Sequence, residues 1–147
     1  MYRHFLNFSV DHIAAYTVLT EGRNVSVITG NNCLKVLFTN EEYKARLSDN
    51  NRIGKYILDE TDYWFDFNRE GYGIKGFYNW DVTAAVYLVH PELFLDKKEL
   101  YAFTENDLKT GYLHKIDSGK YMCNLPEISD EHAFKDIIYS TWLKVNI

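Results

Sequence analysis

Two segments of this 147-residue chain place an acidic residue at the head of a run with paired alanines: Asp11-His-Ile-Ala-Ala15 and Asp81-Val-Thr-Ala-Ala85. Trp80 precedes the second, and the Trp80-Asp81 pair is the leading candidate for a functional spot. The same pattern has a purely architectural reading. Aspartate is a favoured helix N-cap, because its oxygen accepts from exposed N–H groups and its charge suits the positive end of the helix dipole. In that reading Asp81 caps the helix, and Trp80 is the apolar residue before the cap, stapled onto Ala85. Residue types alone leave both readings open.

Other catalytic signatures are missing. There is no glycine-rich phosphate loop and no G-x-S-x-G nucleophile elbow. The five histidines, His4, His12, His90, His114 and His132, show no zinc-type spacing. Net charge is −5 with no cluster of Lys and Arg, which argues against nucleic acid as a partner, since phosphate binding needs a concentrated basic face. Cys33 and Cys123 lie far apart, outside any C-x-x-C pattern, and are expected as two buried thiols in a reducing cytosol. No leader pattern opens the sequence, and no apolar run nears the roughly 20 residues that span a bilayer. A cytoplasmic protein without a membrane partner is expected. Aromatic residues make up 16%, enough for a large packed core or for rings exposed at a binding surface.

The elements that must position these residues can be read in outline. Asp11 is expected to cap a helix with Ile13, Ala14, Val18 and Leu19 as apolar positions, stopped by Gly22. Val25-Ser-Val-Ile-Thr29 is rich in β-branched residues and reads as a strand, and 34–38 as a short extended piece. Thr39 and Glu42 have capping-box spacing and open a helix through Leu47. Ile53, Tyr56, Ile57, Trp64 and Phe67 fall at helical spacings, after which Gly71, Gly73 and Gly76 predict a mobile loop. A second capped helix starts at Asp81, buries Ala84, Ala85, Leu88 and Val89, and ends near Pro91. A strand over 100–104, a hairpin over 111–125 turning at Ser118-Gly119, and a helix over 130–145 close the chain. This order predicts one α/β layered domain over 1–147, with too few strands for a complete parallel sheet.

The stretch F-Y-N-W-D-V-T-A-A-V-Y-L-V-H-P-E-L-F, from Phe77 to Phe94, resembles the late signature helix of the inosine-uridine type nucleoside hydrolases. There a His-Asp or Trp-Asp pair opens a helix of the form D-x-x-A-x-x-Y/x-L-x-x-P-x-L-F. Asn7-Phe-Ser-Val-Asp-His-Ile-Ala-Ala15 resembles the family segment E-F-N-x-x-x-D-P-x-A-A, and Thr110-Gly-Tyr112 is similar to its late T-x-G element. The likeness runs in the family's order from about Phe5 to Val145. It implies the C-terminal half of a mainly parallel sheet with flanking helices and a peripheral hairpin. It also implies hydrolysis of the N-glycosidic bond of ribonucleosides, which builds oxocarbenium-like charge on the sugar and negative charge on the departing base. Asp81 matches a carboxylate that ligates the catalytic Ca²⁺, an ion that can hold the ribose diol and lower the pKa of the attacking water. Asn7 matches a ribose-binding asparagine. Trp80 matches the variant that stacks on a purine and helps it leave. Trp64 would supply a second aromatic wall, or else is a core tryptophan at helical spacing.

The chain departs from the family at its main metal site. No D-x-D-x-x-x-D-D cluster occurs, and Asp59, Asp62 and Asp66 read as the solvated face of one helix. One carboxylate cannot hold Ca²⁺ tightly, since that ion takes about six to eight oxygens. Phe5 stands where the family has a glutamate, and His12 where it has a proline. The resulting expectation is a truncated or split hydrolase, lacking the N-terminal metal-binding segment and inactive alone. Its partners would be a ribonucleoside and either an N-terminal fragment or a second copy of itself. The other expectations are a non-catalytic interaction module and a nucleoside- or purine-binding protein.

Overall fold

The computed structural model describes residues 6–47, 51–115 and 118–146. Phe5, His4 and positions 116–117 of the expected hairpin lie outside the described residues. In chain order the elements are α1 (Leu6–Val10), α2 (His12–Glu21), α3 (Gly30–Cys33), β1 (Phe38–Thr39), α4 (Asn40–Arg46), α5 (Arg52–Tyr72), β2 (Gly76–Phe77) and α6 (Trp80–Val89). A 3-10 turn (Pro91–Leu93) leads to β3 (Phe94–Leu95), β4 (Lys98–Ala102), α7 (Glu105–Lys109), β5 (His114–Lys115), β6 (Tyr121–Asn124), β7 (Glu127–Ile128) and α8 (Glu131–Trp142). They form two compact units, one from the stretch up to Asn32 with Phe94–Glu127, the other from Cys33–Leu93 with the stretch from Ile128.

In the first unit Asp11 caps α2, its Oδ1 accepting from Ala14 N at 3.0 Å. Strand β4 is central, with β5 and β6 antiparallel on either side of it. The expected hairpin is therefore corrected: its two arms do not pair with each other, because both find their hydrogen bonds on β4. The Val25–Thr29 stretch reaches the sheet at one point only. Val27 N donates to Asn124 O at 2.8 Å and Asn124 N to Val25 O at 2.9 Å, making a parallel bridge at Ser26. That bridge is parallel, whereas the β1–β2, β4–β5 and β4–β6 ladders are antiparallel. Leu19, Tyr101, Phe103, Leu108 and Cys123 form the core.

The second unit is held by aromatic rings. Tyr43 lies 5.1 Å from Phe77, 5.3 Å from Phe65 and 5.6 Å from Tyr139, centroid to centroid. Phe38 stacks on Phe77, directly across the β1–β2 ladder. Helix α5 runs through Gly71 to Tyr72, so the expected glycine loop shrinks to its true stop, Gly73, whose positive φ of 65° ends the helix in a left-handed cap. Thr39 caps α4 by accepting from Glu42 N, while the Glu42 carboxylate takes Lys135 Nζ at 2.8 Å. Asp130 caps α8 through two N–H groups. No described helix is long and apolar enough to cross a membrane.

Two substitutions separate packing from polarity in this core. Phe38→Ala should cost about 3–5 kcal/mol, as truncation of a fully buried ring does. Tyr139 is buried, and among the described residues its hydroxyl makes no hydrogen bond of ordinary geometry, only an approach to the Glu42 carboxylate. Tyr139→Phe should accordingly leave stability within about 1 kcal/mol of the parent or raise it. Denaturant melts of both variants measure this.

Candidate functional site

The Trp80-Asp81 pair sits where the aromatic core hands the chain to α6. Gly76 pairs with Thr39, and a Cβ on Gly76 would lie 2.2 Å from Phe38 O, so only glycine permits the ladder there. Phe77 then anchors in the core, and Tyr78 and Asn79 lead out to the helix.

Helix α6 begins at Trp80, which corrects the expectation that Asp81 caps it. Asn79 is the N-cap and Asp81 the second helical residue. The staple expected of a tryptophan before the cap therefore does not arise. The Asn79 side chain makes no cap hydrogen bond; its amide donates to Tyr43 Oη at 3.3 Å. The Asn79 backbone carbonyl accepts from Thr83 N at 3.1 Å and from Thr83 Oγ1 at 2.7 Å. Trp80 is 46% exposed, with the Tyr78 ring 5.6 Å away and tilted by 57°. Asp81 is exposed beside it.

The inner face of α6 also differs from expectation. Thr83 and Val86 are buried, whereas Ala84, Ala85, Leu88 and Val89 are exposed, Leu88 to 81%. The buried Cys33 thiol is raised above its ordinary pKa, by burial first, with a smaller push from the Asp81 charge and an opposing hydrogen bond with Thr83.

Trp64 is no core tryptophan. It is 40% exposed on α5, where its ring stacks on Phe67 at 5.0 Å and tilts against Tyr63 at 5.6 Å. Its nearest ring partners thus belong to its own helix, and that of Trp80 is Tyr78. Asn7, matched by resemblance to a ribose-binding asparagine, is exposed on the short helix α1, in the other unit. Asp59, Asp62 and Asp66 are solvated, with Asp59 paired to Lys55 and Asp66 to Arg69. A shallow groove lined by Arg46, His90, Glu92 and Asp136 holds an Arg46–Asp136 ion pair and a hydrogen bond between His90 Nδ1 and the Glu92 carboxylate.

The donor set does not fit a calcium ion. Among the described residues no three acidic, histidine or cysteine side chains come together where they could hold a metal. Asp81 supplies two oxygens where Ca²⁺ takes about six to eight.

A family pattern and three known proteins bear on this arrangement. The pattern of the family described as "Inosine-uridine preferring nucleoside hydrolase" matches residues 6–136. The chain is 28% identical over 106 residues to a probable uridine nucleosidase 1 of Oryza sativa subsp. japonica, across 72% of this chain and 33% of that protein. A plant nucleoside hydrolase superposes with a TM-score of 0.79 at 18% identity, over 95% of this chain and 47% of the other. A purine-preferring ribonucleoside hydrolase from Gardnerella vaginalis does so with a TM-score of 0.78 at 21% identity, over 93% and 45%. At such identities the structural likeness speaks for the fold, which is that of the nucleoside hydrolases. The chain spans between 33% and 47% of the length of these three relatives.

The link between Asp81 and Cys33 gives a direct check on the geometry. Asp81→Asn removes a negative charge that disfavours the thiolate, so the Cys33 pKa should fall while remaining above that of a free thiol. A pH titration of the Cys33 Cβ carbon by NMR reads this shift, and an unmoved titration would place Asp81 too far away.

Proposed function

Because the chain belongs to the inosine-uridine preferring nucleoside hydrolase family, we propose that it carries the base-binding side of a ribonucleoside site and performs no hydrolysis with its own residues alone. The observation that carries this reading is the exposed Trp80 indole beside the exposed Asp81 carboxylate on an anchored helix end. An indole face takes a flat base by stacking, and the larger purine ring covers more of it. The carboxylate next to it suits the hydroxyl-bearing sugar. A purine nucleoside is therefore the preferred ligand, in line with the name of the Gardnerella relative and unlike that of the rice one. As separate proposals, Trp64 offers an aromatic wall to a base, and Asn7, within the first unit, offers a hydrogen-bonding group to a ribose. We place the chain as the C-terminal part of the family's fold. The two buried free thiols, Cys33 and Cys123, support a reducing compartment such as the cytoplasm.

The proposed absence of hydrolysis rests on the donor set. Splitting the N-glycosidic bond needs an activated water, and among the described residues no group of three or more acidic, histidine or cysteine side chains is placed to hold a metal that would supply it.

A second reading is favoured by the outer face of α6. Ala84, Ala85, Leu88 and Val89 present an apolar stripe to solvent, the mark of a helix that packs against something on both sides. A polypeptide carrying the carboxylate-rich remainder of the site, or a second copy of this chain, would cover it.

In calorimetric titrations inosine should bind the purified chain, and Trp80→Ala should weaken it by about 5–150-fold, the loss of one base–aromatic stack. With Ca²⁺ present, the chain should release no base from inosine, guanosine or uridine; measurable release overturns the proposal. For the second reading, light scattering at high concentration should show self-association that Leu88→Lys abolishes, and a clean monomer counts against a second copy.

A further inference from the structure

We propose that Asn79 and Tyr43 are positioning residues for the Trp80-Asp81 pair, holding the start of α6 in place so that the indole meets a ligand preoriented. The inference rests on the reading of Trp80-Asp81 as the ligand-contacting pair.

The reason lies in what Asn79 does not do. Asparagine at an N-cap ordinarily turns its side-chain oxygen onto the N–H groups of the first helical turn. Asp11, Thr39, Asn51, Thr104 and Asp130 all do this in the present chain. Asn79 departs from these five, and its side chain leaves the helix N–H groups without a cap bond. Its amide instead reaches Tyr43 Oη, a hydroxyl on a ring that is 1% exposed and wedged among Phe38, Phe65, Phe77, Tyr139 and Trp142. That ring cannot move without disturbing the core, so the amide is tied to a fixed point.

The backbone is tied as well. The Asn79 carbonyl accepts from both the N–H and the hydroxyl of Thr83, itself 2% exposed. Trp80 and Asp81 thus lie between two anchored residues while their own side chains stay in solvent. An exposed ring at a fraying helix end would lose orientational freedom on binding a ligand. Anchoring the residues on either side removes part of that loss beforehand. Capping would have stabilised the helix; the bond to Tyr43 sets where the helix starts.

Fluorine NMR of the full chain carrying fluorotryptophan tests this without a ligand. The Trp80 signal is assigned by its disappearance in Trp80→Phe. Tyr43→Phe and Asn79→Ala should each shift or broaden the Trp80 signal, leave that of Trp64 in place, and show no further change when combined. Asn79→Ser supplies a good cap but cannot reach Tyr43. It should disturb Trp80 equally while keeping or raising the melting temperature, the opposite of what a capping role predicts. In calorimetry Tyr43→Phe and Asn79→Ala should also weaken inosine by about fivefold. Failure of the parent chain to bind inosine would sink the ligand reading and leave the fluorine result standing. A Trp80 signal indifferent to Tyr43→Phe and Asn79→Ser in folded protein overturns the positioning role.

Discussion

The close approach of Gly76 to the Phe38 carbonyl governs the unit that carries Trp80. Any side chain at Gly76 would collide with backbone, which cannot yield as a flexible side chain would. The approach lets Phe38 pair with Phe77 across a two-residue ladder. With Phe77 fixed, Tyr43 meets it edge to face and Phe65 at a tilt, and Tyr139 in turn meets Tyr43 edge to face, an arrangement favoured by the quadrupoles of the rings as well as by burial. The same residue then delivers the chain, three positions later, to the head of α6. Core packing and placement of the candidate site are consequences of one contact.

Helix α6 shows how little of a helix needs to be buried to be held. Thr83 and Val86 are buried and Val82 and Tyr87 half-buried, while Trp80, Asp81, Ala84, Ala85, Leu88 and Val89 face out. The bonds from Thr83 to the Asn79 backbone carbonyl add a directional hold at its first turn. The relatives share this fold over less than half their length, and an apolar outer face is what a helix in the interior of a layered α/β protein would carry.

How much could be read beforehand depended on how local each signal was. Asp11, Thr39 and Asp130 cap their helices as their types suggest, because a cap is settled within three residues. The cap expected at Asp81 falls two positions earlier, on Asn79, an equally good cap residue. The 111–125 stretch alternates like a hairpin, yet its strands pair with β4, a choice made between distant segments. Gly71 sits inside α5 because the flanking helix-formers outweigh one glycine, while Gly73, able to adopt positive φ, makes the stop. Of the candidate site, Trp80 and Asp81 were legible through family likeness. The bond from Asn79 to Tyr43 was not, because it joins residues 36 positions apart and no local pattern encodes it.

The two cysteines are distributed one to a unit: Cys123 in the core of the first and Cys33 in the second, both buried and both raised in pKa chiefly by that burial. A buried thiol is unreactive until its surroundings open. Each unit therefore carries its own clock. The rate at which a thiol reagent claims Cys33 counts the openings around the Trp80-bearing helix, and the rate at Cys123 counts those of the β4 sheet, so the lifetimes of the two units can be timed independently in one molecule.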